Sequence, residues 1–582
     1  MSHVTSAAQD AAGAAGAAGP AGSTVLHGVG VGRAGVVGPV VQVAGAPAVP
    51  GDEPGTPPDQ VEAVQARVTV AFDAVAAGLR AQADAASGAA VDVLGATAQM
   101  ADDKALRKQT AQGIATGSGP VAALDQAVDG FAAMFEQAGG YLAERVTDLR
   151  SVRDRVVARI LGVPEPGVPT LTRPSVVVGR DLAPADTATL DVSHVLAIVT
   201  ELGGPTSHTA IIAGQLGIPC VVRVGGATGL ADGAVVAVDA AAGTVEVGPA
   251  PGVAEGFAQR AEVAARLAED HAPGATADGH GVLLLANIGT AEDAERAAAQ
   301  AVEGSGLFRT EVLFLDRETA PTREEQAATY ARALRAFGDR KVVIRTLDAG
   351  ADKPLKFATQ PDEENPALGV RGYRLVRTVP DVVATQLEAL GDARRETGLE
   401  PWVMAPMIAT PGEARDFAAS ARAQGITKVG VMVEIPAAAL RADAILAEVD
   451  FVSIGSNDLA QYTMATDRLR GELADLIDLW QPAVLDLVAA TAAAGQRAGK
   501  DVGVCGESAG DPLMAVVLTG LGITSLSMAP VAVPAVRFAV KAHTLAQARA
   551  VAQAALAAGD APGARAAAVA SLADGVAEAL GL

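Results

Sequence analysis

Cysteine is nearly absent from this chain. Cys220 and Cys505 are the two in 582 residues, which excludes a disulfide framework and a cysteine-rich metal site and points to the cytoplasm as the expected compartment. Aromatic residues make up 3%. Hydrophobic residues reach 50%, but alanine supplies much of that share. No stretch offers about 20 consecutive strongly apolar residues, so no transmembrane helix and no membrane insertion is expected. Basic residues are outnumbered, 44 Lys and Arg against 67 Asp and Glu, for a net charge of −23. That balance argues against a nucleic-acid partner, which needs a basic face, and allows a basic protein partner. Residues 1–23 lack Lys, Arg and a leucine-rich segment, so they do not resemble a secretory signal and read as a disordered extension.

What is present divides by pattern. Thr24 to Val43 is Val/Gly-rich and hairpin-like, and Pro and Gly mark a linker over 44–58. From about Gln60 to Leu161 prolines nearly vanish and apolar residues recur at helical spacing, giving about four helices. Such a segment is either a structural bundle or a docking platform, and pattern alone favours the bundle. Prolines return over 164–174. Then "SVVVG", "HVLAIVT", "IPCVVRV", "AVVAVDA" and "TVEVG" read as short strands of an α/β unit. The helical segment looks like an insertion into that unit, so 24–43 is expected to join its sheet. A helix over 251–272 links onward. From Gly281, "VLLLANIG", "GSGLFRT", "KVVIRTLD", "WVMAPMI", "VGVMVEIP", "FVSIGSNDL", "DVGVCGE" and "SLSMAP" alternate with helical stretches, the pattern of a (β/α)8 TIM barrel of about 265 residues. The alanine-rich tail from about His543 reads as helix, its first part closing the barrel and its end fraying. The expected fold class is multidomain α/β. Its parts are 24–50 with 165–248, a helical insertion over 55–161, a linker helix over 249–280, a barrel over 281–545 and a helical tail over 546–582.

Two places carry chemistry. In Gly203-Gly204-Pro205-Thr206-Ser207-His208-Thr209 a buried strand leads in and a helix follows. A helix start offers free N–H groups and a positive dipole end, which suit a phosphate, and a neutral imidazole is a good nucleophile. His208 is thus a candidate phosphoryl carrier; otherwise it is a capping histidine in a glycine-rich turn. The second place is the barrel mouth, where strand ends carry catalytic groups. Those ends supply Asn287, Arg309, Arg345, Glu434, Asn457 with Asp458, and Cys505 with Glu507, while Arg468 and Arg371 lie on the connections after strands six and three. Arginine forks bind phosphate and carboxylate. Glu434 and Asp458 are hard oxygen donors that suit Mg²⁺. One arginine at a strand end is ordinarily a surface ion pair; the coincidence of many polar ends is harder to dismiss. Cys505 reads equally as a small buried residue or a proton donor.

The motifs "GGPTSHTAI", "GLFRTEVLFLDRETAPTREEQ", "VVIRTLDAGADKPL", "EENPALGVRGYR", "VMVEIPAA", "SIGSNDLAQYTMATDR" and "VCGESAGDP" resemble, in order, those of Enzyme I of the bacterial sugar phosphotransferase system, the phosphoenolpyruvate-protein phosphotransferases. The resemblance spans roughly residues 24 to 545. It implies that His208 is phosphorylated from phosphoenolpyruvate. Arg309, Arg345, Asn457 and Arg468 would bind that substrate, with Arg371 a further active-site arginine. Glu434 and Asp458 would bind Mg²⁺, Cys505 would protonate the enolate to pyruvate, and Thr187 would orient the histidine. The helical segment would dock the carrier protein HPr, and the barrel would form a homodimer. The chain departs from the family at Gly214, where an arginine that helps hold the phosphate is common; Arg223 is a candidate substitute. Pro205, Ser456 and Ser508 are milder departures. A phosphohistidine dikinase would share these modules but needs a nucleotide-binding domain, and no P-loop is present. A non-catalytic phospho-acceptor is the other alternative.

Overall fold

The computed structural model describes residues 24–582 except 33, 48–52, 86–88, 139–145, 170, 183–189, 191–192, 205–207, 316, 351–354, 356, 359–362, 468–472 and 474–475. The expected extension over 1–23 lies outside the described residues. The chain forms two compact units, Met1–Gln259 and Arg260–Leu582. Among the described residues no helix is long and apolar enough to cross a membrane.

The first unit holds one eight-stranded sheet. Its strands are β1 (Thr24–His27), β2 (Val29–Val31), β3 (Gly35–Gln42), β4 (Ser175–Gly179), β5 (Val195–Thr200), β6 (Cys220–Val222), β7 (Val235–Asp239) and β8 (Thr244–Val247). Their order is β1-β8-β7-β3-β4-β5-β6-β2. The segment from Thr24 thus does enter this sheet. Strands β3 to β6 run parallel and the flanking pairs antiparallel. Successive side chains alternate between faces: Val176, Val178 and Val199 enter one core, while Val177, Ile198 and Cys220 enter the other with Ala210 and Ala213.

Between β3 and β4, five α-helices stand among the described residues, where the periodicity suggests about four: α1 (Val61–Ala85), α2 (Ala89–Ala101), α3 (Lys104–Ala115), α4 (Pro120–Ala138) and α5 (Val146–Leu161). The break between α2 and α3 is short. Asp103 accepts a hydrogen bond from Leu106 N at 2.8 Å, a cap strong enough to start a new helix after two residues. The strand β5 is followed by α6 (His208–Leu216), and α7 (Val253–Ala268) follows the sheet.

The second unit is a closed parallel barrel of β9 (Leu283–Ile288), β10 (Gly304–Arg309), β11 (Lys341–Arg345), β12 (Trp402–Ala405), β13 (Lys428–Val433), β14 (Phe451–Ile454), β15 (Asp501–Val504) and β16 (Ser525–Met528). Seven of them fall inside the expected apolar runs, and β13 overlaps its run but begins one residue earlier, at Lys428. Leu307, Val343, Met404, Met432, Phe451 and Cys505 fill its interior. The surrounding helices face the strands largely with alanine, including Ala294, Ala297, Ala331, Ala389, Ala393, Ala418 and Ala421.

The tail differs from expectation in two ways. The helix after β16 is Val533–Lys541, ahead of the tail, and three more helices follow at Leu545–Leu556, Ala561–Ala570 and Val576–Leu580. Thr544 and Gln547 form a reciprocal capping box that starts a separate helix there. The end is docked rather than frayed: Leu580 and Leu582 pack against the barrel core. His543, fully buried, places Nδ1 2.7 Å from Ala539 O and accepts from Ala573 N at 2.9 Å.

Candidate active site

Parallel strands in a closed barrel all point one way, so their C-terminal ends gather at one mouth. β11 ends on Arg345, which is buried. Its Nη2 donates to Glu311 Oε1 at 2.6 Å and its Nη1 pairs with Asp348 Oδ2 at 3.1 Å. Burial opposes the charge, but Glu311, Asp348 and Glu434 outweigh it and hold the guanidinium above its usual value. Asp348 also accepts both arms of Arg371, from Nε at 3.0 Å and from Nη2 at 3.1 Å. Arg371 is fully buried and is among the largest side chains so placed. Its Nη1 reaches Asp458 Oδ1 at 3.0 Å and Tyr462 Oη at 3.3 Å. One carboxylate therefore ties two arginines into a fixed fork pair.

Glu434, just past β13, is also fully buried. Its Oε1 accepts from Met407 N at 2.6 Å, while Oε2 has no partner. Burial, then Asp458 and Asp348, push its carboxyl up to about 7, against the pull of Arg345 and Arg371. The donor is held in a costly shape: Met407 has φ 59°, a left-handed conformation that side chains other than glycine seldom adopt. Gly455 is needed beside it, because a Cβ there would lie 2.9 Å from Glu434 Oε2.

Cys505 follows β15 and is buried. Its Sγ donates to Ile454 O at 3.6 Å, and burial pushes the thiol up. Asn287, at the end of β9, donates to Cys505 O at 3.3 Å and accepts from Ser527 Oγ at 2.7 Å. Arg309 ends β10 and is exposed; its charge reaches the Cys505 thiol.

The residues expected from sequence separate into groups. Arg345, Arg371, Glu434, Asp458 and Cys505 form one buried electrostatic cluster. Asn457 bonds instead to Glu507, donating to its Oε1 at 3.0 Å and accepting from its N at 3.0 Å. His208 is the first residue of α6, in the other unit. Thr187 and Arg468 lie outside the described residues.

Several members were not expected. Asp348 and Glu311 sit three and two residues past strand-end arginines, a spacing that hints at ion pairs. A third is remote. Gln386, fully buried on the outer helix Pro380–Thr397, accepts from Leu347 N at 2.8 Å. Its Nε2 donates to Thr310 Oγ1 at 3.1 Å and to Tyr330 Oη at 2.9 Å, and Thr310 donates to Arg345 O at 2.8 Å. The network fixes the backbone between Arg345 and Asp348. Replacing Gln386 with leucine orphans the Leu347 N–H and is expected to destabilise the barrel by about 1–3 kcal/mol. Thermal unfolding of the variant checks this; an unchanged midpoint would show that the network carries no load.

Comparison with known proteins places this geometry. Residues 264–545 match the model for the PEP-utilising enzyme, PEP-binding domain, 171–243 its mobile domain, and 22–145 its N-terminal domain. The chain is 50% identical over 552 residues to a phosphoenolpyruvate-protein phosphotransferase of Streptomyces coelicolor, covering 94% of this chain and 99% of that protein. It is 40% identical over 475 residues to one of Haloferax volcanii, covering 79% and 83%.

Proposed function

The chain belongs to the phosphoenolpyruvate-protein phosphotransferase family, and from that premise we propose that it transfers the phosphoryl group of phosphoenolpyruvate to His208 and then to the histidine of the carrier protein HPr, releasing pyruvate. Phosphoenolpyruvate-dependent phosphotransfer follows from the relatives. The observation that supports the finer reading is the buried set of Arg345, Asp348, Arg371 and Asp458 beside the unpartnered Glu434 Oε2.

In this reading Arg345, Arg371 and Arg309, with Arg468 and Asn457, hold the substrate's phosphate and carboxylate. The donor set also fits Mg²⁺. Among the described residues no group of three or more His, Cys, Asp or Glu is placed to hold a metal ion by itself, but Glu434 has a buried oxygen without a partner and Asp458 neighbours it. Two carboxylates suffice where substrate oxygens and water complete the shell. A magnesium ion held there would neutralise phosphoryl charge.

The imidazole of His208 attacks phosphorus; an N–P bond forms as the P–O bond to the enol oxygen breaks. The enolate then takes a proton at C3 from the Cys505 thiol, and solvent restores the thiol. Thr187 orients the imidazole. The helical insertion over 55–161 docks HPr, the α/β unit over 24–50 and 165–248 carries the phosphohistidine, and the barrel over 281–545 binds phosphoenolpyruvate and forms a homodimer. The cytoplasm is the working compartment.

The test is to mix the protein with phosphorus-labelled phosphoenolpyruvate and Mg²⁺. Acid-labile label and released pyruvate are expected for the native sequence, and neither for His208→Ala. Equal labelling of both would refute the assignment.

A further inference from the structure

We infer that Glu507 is a positioning residue that fixes the carboxamide of Asn457 in the orientation that offers an N–H to phosphoenolpyruvate, an assignment that rests on the reading above in which Asn457 binds that substrate. The first observation is where the two residues stand. β14 and β15 run parallel side by side, with Phe451 opposite Asp501 and Ile454 opposite Val504. Asn457 is the second residue of the helix Ser456–Thr463 that follows β14. Glu507 begins the short turn Glu507–Gly510 that follows β15. The two connections therefore leave adjacent strands at the same mouth. The second observation is how they are joined. Glu507 N donates to Asn457 Oδ1 at 3.0 Å, and Asn457 Nδ2 donates to Glu507 Oε1 at 3.0 Å. Ser456 Oγ also donates to Asn457 Oδ1, at 3.4 Å. A backbone N–H can only donate and a carboxylate only accepts, so a flipped amide would set donor against donor and acceptor against acceptor. Glu507 takes one of the two N–H groups on Nδ2. The other is left for the substrate.

The third observation is the room made for this pair. A Cβ on Gly506 would lie 2.0 Å from Ser456 Oγ and 2.7 Å from Ser456 N. Gly506 has φ −82°, a value open to any residue, so space and not conformation calls for glycine. The missing side chain lets residues 506–507 close on residues 456–457. The fourth observation is exposure. The Glu507 side chain faces solvent, and exposed side chains of this kind ordinarily add little to stability. Its charge also repels an anionic substrate. Neither the fold nor attraction of the substrate accounts for a carboxylate here, whereas orienting Asn457 does.

The test is equilibrium binding of labelled phosphoenolpyruvate, with Mg²⁺, to the full chain carrying His208→Ala, which leaves nothing to accept the phosphoryl group. The thermal midpoint of each protein is measured alongside. Added to this parent, Glu507→Ala should raise the dissociation constant about tenfold, the worth of roughly one hydrogen bond, with the midpoint unchanged. Glu507→Gln keeps an acceptor for Nδ2 and loses the charge, so it should bind at least as tightly as the parent. Asn457→Ala should weaken binding too. Glu507→Ala placed on top of Asn457→Ala should weaken it no further, because Glu507 acts only through that amide. Effects that multiply in the double variant overturn the assignment. So does parent affinity in Glu507→Ala, a loss there that tracks a lower midpoint, or binding by Glu507→Gln as weak as by Glu507→Ala. A parent that binds no phosphoenolpyruvate, or an Asn457→Ala variant that binds as the parent does, would refute the substrate reading itself.

Discussion

Arg371→Met should cost the barrel roughly 3–5 kcal/mol, because the substitution leaves Asp348 buried without one of its partners. Asp348 is fully buried and takes both arms of Arg371. Arg345 is its other cation, but that guanidinium is shared with Glu311. Removing Arg371 also frees Asp458 from its 3.0 Å contact. Urea unfolding followed by tryptophan fluorescence isolates the effect, since both tryptophans, Trp402 and Trp480, lie in the barrel unit. An unfolding midpoint equal to the native one would mean that Asp348 is neutral in the folded protein. The double variant Arg371→Met with Asp348→Asn should recover much of the stability, because Asp348 no longer carries a buried uncompensated charge, while binding of phosphoenolpyruvate is expected to be lost.

Cys505→Ala should slow single-turnover pyruvate release by about 10²–10⁴-fold, the usual contribution of a positioned general acid. Binding of phosphoenolpyruvate should change little, because in the proposed reading the thiol acts at C3 of the substrate and not at its phosphate. Burial keeps the thiol above its ordinary value of 9.0, so the proton remains on sulfur at neutral pH and the group is a donor rather than a thiolate. The sign follows: activity that depends on Cys505 persists as pH rises through neutrality and fails above the ordinary thiol range. Rapid-quench measurement of pyruvate checks the rate. A variant as fast as the native protein would assign the proton to another donor.

How much of this was legible in the sequence depends on the element. Parallel strands buried on both faces read as continuous apolar runs, and the eight barrel strands coincide with such runs, β13 starting one residue early at Lys428. The same logic exposed Arg345, Glu434 and Cys505, because a polar residue that ends an apolar run stands out. Asp348 did not stand out, since it follows β11 in an irregular run with no period to interrupt. Gln386 was invisible: a glutamine on a helix reads as solvent-facing, and only packing reveals that it turns inward to Leu347. Asn457 was seen, but its partner Glu507 comes from the next strand, a relation that no local pattern carries. The tail misled because alanine at nearly every position leaves no stripe to mark where one helix ends, although Thr544 and Gln547 spell a cap.

The alanine faces of the barrel helices also bear on how this sequence can change. An alanine side chain has no rotamers to lose on burial, so these contacts form without the entropic penalty that leucine or methionine would carry. Each buries little area in return, and the helices approach closely. Gly520 marks the limit: a Cβ there would collide with the backbone carbonyl of Ala548 on the first tail helix. Truncating substitutions therefore have almost nothing to remove at these positions, whereas enlarging ones have nowhere to go. At these positions the usual asymmetry of core mutation is inverted, and alanine, glycine and serine are the side chains that fit without displacing the strands beneath.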